Sequence, residues 1–338
     1  MDIHRSKAIN GGSTPKGGIS SLYVEKCICA FLVVSCHTPM GALKWLISPI
    51  AMAAVPIFFL ISGYFLYSPS EEKSYERAKK SIKKIVPIFL IVQLFYWAWL
   101  MPNHGNLLNS WSAVADLFLT GALFSGHLWY LAAMLQGMVV LGLFFYGRKG
   151  KYLWSLLPLH VLALVGGRYS FLITTAEQPE YLYYIYNSIC YALPFMSAGY
   201  LIAKYTQKVV AFRHWGLLLT IFCTLGIGER LTLNWLGFGY ANGPFLASGI
   251  IALCAIGWGI THRTIGEGTI LEHIGERYSG NIYYFHIALA TVIENIFIVT
   301  DISSLYSLFG SGIVFMASLI VAYGIVWIQD KLRIHVLK

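Results

Sequence analysis

The sequence predicts an all-α membrane protein: a polytopic bundle of about ten transmembrane helices with both termini on the cytoplasmic side. Three observations predict it. Only 12% of the 338 residues are charged and 57% are hydrophobic, whereas a soluble domain carries about 25% charged residues. Ten apolar runs approach the roughly 20 residues that span a bilayer. All but three of the 24 Lys and Arg residues fall on one side when the loops between these runs are alternated, as the positive-inside rule requires. Those three are Lys44, Arg168 and Arg230. The aromatic content of 15%, with 22 Tyr and 10 Trp, suits a chain with two membrane interfaces.

The elements follow in order. Residues 1–21 read as a polar cytoplasmic tail, Gly- and Ser-rich, without the apolar segment of a signal peptide. Residues 22–330 form the transmembrane domain. Its expected spans are 22–42, 46–68, 82–101, 128–146, 152–167, 185–203, 213–228, 244–261, 279–299 and 305–329. The stretch 111–124 contains Asp116 and reads as a re-entrant or interfacial helix. Residues 331–338 form a short cytoplasmic tail, and no separate soluble domain is expected. The net charge of +9 would suggest nucleic acid in a soluble protein. Here the basic residues sit in clusters between apolar runs, so they report topology, and the expected partner is the lipid bilayer rather than nucleic acid. The six cysteines lie inside apolar runs with no C-x-x-C pair and read as small buried hydrophobes. No H-E-x-x-H or clustered Cys/His pattern marks a metal site, and no permanently bound cofactor is expected.

Polar residues inside a membrane are costly, which makes each a candidate for function. Lys26 and His37 are eleven residues apart. On a helix that is three turns plus about 20°, so they share a face about 16 Å apart along the axis. A neutral imidazole in a cavity is a suitable general base; the same spacing also fits a packing histidine and a snorkelling lysine. In Val55–Tyr64, Pro56 and Gly63 interrupt the second span and Ser62 offers a hydroxyl at depth. This reads as a cavity lining or as a kink with a close-packing glycine. The run Arg77 to Lys84, before Pro87, suits phosphate groups or anionic lipid. His127 stands at the outer start of the fourth span in the same half of the membrane as His37, followed by Trp129 and Tyr130. In Ser279–His286 the histidine is assigned to the inner half, with Glu294 about 80° away on the same broad helix face. Glu229 and Arg230 read as an exposed pair beside an outer loop.

Taken together these features resemble the acyltransferase 3 family of bacterial membrane acyltransferases. Lys26-x10-His37 resembles its R-x10-H, and Pro56–Tyr64 its P-x-F-F-x-x-S-G-F/Y run. Lys80 to Pro87 occupies the place of its basic R-x-x-R segment. His127-Leu128-Trp129-Tyr130-Leu131 resembles its H-L-W-F/Y-L motif, and Tyr283 to His286 its Y-x-x-H. The likeness spans about residues 20–330. Lysine stands at position 26 where the family pattern has arginine, which gives up bidentate binding. The resemblance implies transfer of an acyl group, usually acetyl from cytosolic acetyl-CoA, to a cell-surface glycan or lipid-linked saccharide at the bacterial inner membrane. It implies His37, with His127 and Ser62, as the catalytic candidates. It implies Lys26, Lys80, Lys83 and Lys84 as the acyl-CoA-binding residues, and Trp129, Tyr130, Tyr283, His286 and Glu294 as substrate-binding residues. The competing class is a glycan or lipid transporter without acyl chemistry.

Overall fold

The computed structural model of the protein describes residues 19–173, 187–239, 243–334 and 336–337. Its regular elements are all helical. They are α1 (Ser20–His37), α2 (Gly41–Leu46), α3 (Ser48–Ala51), α4 (Ala54–Leu66), α5 (Glu71–His104), α6 (Trp111–Leu119), α7 (Trp129–Tyr146) and α8 (Leu159–Val165). There follow α9 (Leu193–Lys204), α10 (Thr206–Ala211), α11 (Trp215–Trp235), α12 (Leu246–Thr261), α13 (Ile270–Arg277), α14 (Ser279–Val299) and α15 (Ser303–Leu332). Short 3-10 turns cover Gly126–Leu128 and Gly150–Leu156, and a π-turn at Ser188–Ala192 leads into α9.

Among the described residues, 7 helices are long and apolar enough to cross a membrane. They account for the expected spans at 22–42, 46–68, 82–101, 128–146, 213–228, 279–299 and 305–329. The other three look different. The expected span 152–167 is a 3-10 turn followed by the 7-residue α8. Pro158 lies between them, and a proline restricts its predecessor and removes a donor. The expected span 244–261 is the 16-residue α12. Of 185–203, residues 185 and 186 lie outside the described residues, and the chain is helical from 187 through Lys204. The N-terminal tail lies outside the described residues up to 18, and α1 already begins at Ser20. The C-terminal tail folds back: the Leu337 amide donates to Gln329 Oε1 at 3.0 Å, and Asn281 Nδ2 donates to the Leu337 carbonyl at 2.9 Å.

Glycines set the closest helix approaches. The α4–α9 pair makes the most extensive helix contact. At their crossing a Cβ on Gly63 would lie 1.9 Å from the Met196 carbonyl oxygen, and one on Gly199 would lie 2.0 Å from that of Leu60. In a bilayer, helices associate through such close backbone packing. The Gly63 of the second span is therefore a packing residue. A third approach joins α13 to α1, where a Cβ on Gly275 would meet the Tyr23 carbonyl oxygen at 1.7 Å. Two helices carry a side-chain N-cap among the described residues. Ser110 accepts from the Ala113 amide at the start of α6, and Thr269 from the Glu272 amide at the start of α13. The stretch 111–124 holds one short helix, α6, and then turns back into the bundle. Gln136 Nε2 caps its end by donating to the Phe118 and Leu119 carbonyls, both at 3.0 Å. Gln93 Nε2 donates to the Gly121 carbonyl at 2.7 Å.

Candidate active site

Three histidines from distant parts of the chain meet at one end of α1. His37 is the last residue of that helix, which Thr38 fastens to α15 by a 3.0 Å hydrogen bond to Ser311 Oγ. His127 sits in the 3-10 turn before α7, and His286 lies in the second turn of α14. Ring centroids are 5.3 Å apart for His37 and His286, 4.9 Å for His127 and His286, and 6.3 Å for His37 and His127. The pairing of His37 with His127 agrees with the sequence reading. The placement of His286 corrects it. The helix start at Ser279 is not at a membrane face, because α13 already runs beside α1 with Gly275 against Tyr23. Counting on from Gly275, His286 is eleven residues further, the same step that separates Lys26 from His37, so it reaches the His37 level rather than the opposite half.

Hydrogen bonds fix the proton positions on the two buried rings. His286 Nδ1 lies 2.7 Å from the Tyr283 carbonyl, which only accepts, so Nδ1 carries the hydrogen. Its Nε2 is then a lone pair, buried and without a partner among the described residues. His127 Nε2 lies 3.4 Å from the Tyr284 carbonyl and Nδ1 lies 2.8 Å from Ser125 Oγ. The carbonyl takes the ring N–H, so Nδ1 accepts from the serine hydroxyl. Both His127 nitrogens are thus engaged, and the ring is 3% exposed against 0% for His286. His37 is the exposed member. It lines a cavity of about 400 Å³ together with Lys44, Glu294, Thr291, Tyr306 and Ser307.

Tyrosines hold this arrangement. Tyr283 donates its hydroxyl to the His127 carbonyl, and its ring lies between His127 and Tyr130, at 5.4 and 5.2 Å. Its hydroxyl is therefore occupied inside the protein. Tyr96 of α5 donates to the Tyr284 carbonyl at 3.0 Å and receives the Ala288 amide at 3.4 Å. Those two groups are a residue and its i+4 neighbour, so the tyrosine hydroxyl bridges the very turn of α14 that carries His286. Trp129 and Tyr130 pack with Phe59 and Tyr191 in an aromatic layer. Ser62 donates to the Phe58 carbonyl at 2.8 Å and lies beside Tyr130. No hydrogen bond joins it to the three histidines among the described residues. Glu294 is brought to the cavity that His37 lines.

The basic residues gather at the other end of α1. Lys26 has Lys84 and Glu276 as its charged neighbours, and its Nζ lies 5.6 Å over the Tyr23 ring. Lys80, Lys83 and Lys84 are exposed on α5, three and four residues apart and so on one side of it. Their neighbours are spoken for: Lys79 pairs with Glu76 at 2.6 Å, and Arg77 donates to the Tyr67 carbonyl.

Four residues escaped the sequence reading. Lys44 served there only as a topology count. Tyr96 and Ser125 carry no signal of their own. Glu25 is an acid beside Lys26 in an apolar run, which is a legible warning. It is 7% exposed, and neither carboxylate oxygen has a partner among the described residues. The Glu229–Arg230 reading is also corrected. Arg230 is 7% exposed with its guanidinium 4.7 Å over Trp45. Glu229 accepts the Leu246 and Ala247 amides at 2.8 and 2.9 Å, capping α12. Burial, reinforced by that carboxylate, pushes the Tyr169 hydroxyl above its usual range. Among the described residues no three His, Cys, Asp or Glu side chains are placed to hold a metal ion.

The sequence profile of a family described as an acyltransferase domain matches residues 21–328. Among curated proteins, the serine/alanine racemase of Enterococcus gallinarum is 27% identical over 204 residues, covering 54% of this chain and 29% of the racemase. The chain thus spans less than a third of that relative's length. No solved structure matches. The chain belongs to the acyltransferase 3 family and is a multi-pass helical membrane protein.

Proposed function

We propose that this member of the acyltransferase 3 family is an O-acyltransferase. It moves an acyl group, most simply acetyl, from cytosolic acyl-CoA to a cell-surface glycan or lipid-linked saccharide, across ten spans of the bacterial inner membrane with both termini cytoplasmic. The observation that carries the reading is the packing of His37, His127 and His286 into one cluster, of which His37 lines a cavity and the other two are buried. The Lys26 end of α1 then faces the cytoplasm. There Lys26, Lys80, Lys83 and Lys84 take the CoA phosphates as point charges. His37 stands about 16 Å further along the axis.

In the transfer, His37 accepts the proton of the acceptor hydroxyl. The acceptor oxygen attacks the thioester carbonyl, the C–S bond breaks, and the proton passes to the departing thiolate. His286, its ring held by the hydrogen bond from Nδ1 to the Tyr283 carbonyl, packs 5.3 Å from the His37 ring and orients it. His127, with both nitrogens engaged, positions the other two rings. Ser62 supports the Tyr130 layer that forms the wall of the site.

The test is release of CoA from acetyl-CoA by the purified protein in detergent micelles, beside His37→Ala. General-base catalysis is worth about 10²–10⁴-fold, so the variant should lose at least about a hundredfold at unchanged abundance. Turnover retained in His37→Ala would overturn the assignment. Transport without any acyl-CoA dependence would favour the transporter class.

A further inference from the structure

The cavity beside His37 carries two charges of opposite sign that do not neutralise each other. Lys44 comes from α2 and Glu294 from α14, and both line it. They form no ion pair within 4.0 Å, and neither has a hydrogen-bond or ion-pair partner among the described residues. A sphere of the cavity's volume is about 9 Å across, within the range of small-molecule sites. Both groups and His37 line a space the size of one or two sugar rings.

An occupant displaces water from the cavity side of both charges. A neutral hexose leaves them with hydroxyl dipoles alone, and stripping solvent from a charge without a counter-charge is costly. An occupant with an ammonium group facing Glu294 and an anionic group facing Lys44 replaces that solvation with two charge-assisted hydrogen bonds. We infer that the acceptor is zwitterionic: a hydroxyl compound bearing an amine and an acidic group, bound between Glu294 and Lys44 with its hydroxyl at His37. This rests on the His37 cavity being the acceptor site. Two sources share the chemistry, an amino-sugar acid and a hydroxy amino acid.

The experiment measures binding of probes to the full-length protein in micelles without acetyl-CoA, and then acetyl transfer to the same probes. The probes are glucose, glucosamine, glucuronate, muramic acid and serine. Muramic acid or serine should bind at least about tenfold more tightly than glucose, and which of the two leads identifies the source. Glu294→Gln should erase the advantage of muramic acid over glucuronate. Lys44→Gln should erase its advantage over glucosamine, while Lys44→Arg keeps it. Glucose binding as well as muramic acid and serine overturns the inference, and so does a preference untouched by Glu294→Gln and Lys44→Gln. Zwitterion binding with no acetyl transfer leaves this inference standing and refutes the acetyl-CoA reading instead.

Discussion

Replacing Gly63 with alanine tests what the second-span motif is for. The added Cβ would sit 1.9 Å from the Met196 carbonyl oxygen and 2.6 Å from its carbon. An ordinary carbon–oxygen contact is about 3.3 Å, so α4 and α9 must move apart by about 1.4 Å at their crossing. Neither obstacle is a flexible side chain; both atoms are backbone. With on the order of 30 atom pairs at the crossing, each worth about 0.15 kcal/mol and losing about half its well, the loss is about 2 kcal/mol. Overpacked interiors cost about 1–3 kcal/mol. Lipid offers no hydrophobic driving force to restore the pair. The assay is the thermal midpoint of the micelle-solubilised protein, followed by size-exclusion chromatography after heating. Gly324→Ala is the control, because nothing lies within 4 Å of a Cβ there and alanine favours helix over glycine by about 1 kcal/mol. Gly63→Ala should melt well below wild type and Gly324→Ala at or above it. If the two variants melt alike, the close crossing of α4 and α9 is wrong.

Two further perturbations separate positioning from burial. Tyr96→Phe removes the hydroxyl that bridges the Tyr284 carbonyl and the Ala288 amide. Losing this buried bond should cost about 1–2 kcal/mol of stability. Release of CoA from acetyl-CoA should fall about tenfold as the His286 turn relaxes, with little change in KM; full turnover would show that the bridge does not aim the histidine. Glu25→Gln keeps the shape of a buried acid that has no partner among the described residues. An ionised carboxylate buried without a partner is costly, and glutamine keeps the shape without the charge, so the variant should melt at or above wild type. A clearly lower midpoint would reveal a cation held by Glu25.

Much of the site was legible because it lies on single helices. Lys26 and His37 share one face by spacing alone, and His127 falls in the same half of the membrane as His37 by topology. What defeated sequence reasoning was depth and partnership between helices. Apolar length puts His286 in the inner half because it takes the start of the run for a membrane face, whereas α13 carries the chain inward before that run begins. Tyr96 is one of 22 tyrosines, and nothing local distinguishes the one whose hydroxyl enters a neighbouring helix. Lys44 counted as a loop charge because its cavity exists only once α2, α14 and α15 assemble. The span count shows the same limit: apolar length cannot foresee that Pro158 divides one run into a 3-10 turn and a single short helix.

The 34 residues of α5 make a rod about 51 Å long, well beyond the roughly 30 Å of a hydrocarbon core. One end carries Lys80, Lys83 and Lys84, and the other presents Tyr96 to α14. Pro87 interrupts its hydrogen-bond ladder near the midpoint. From Lys84 to Tyr96 is twelve residues, about 18 Å along the axis, and the Tyr96 hydroxyl binds the turn that holds His286. The lysine segment and the histidine site, at different depths, thus share one length of backbone.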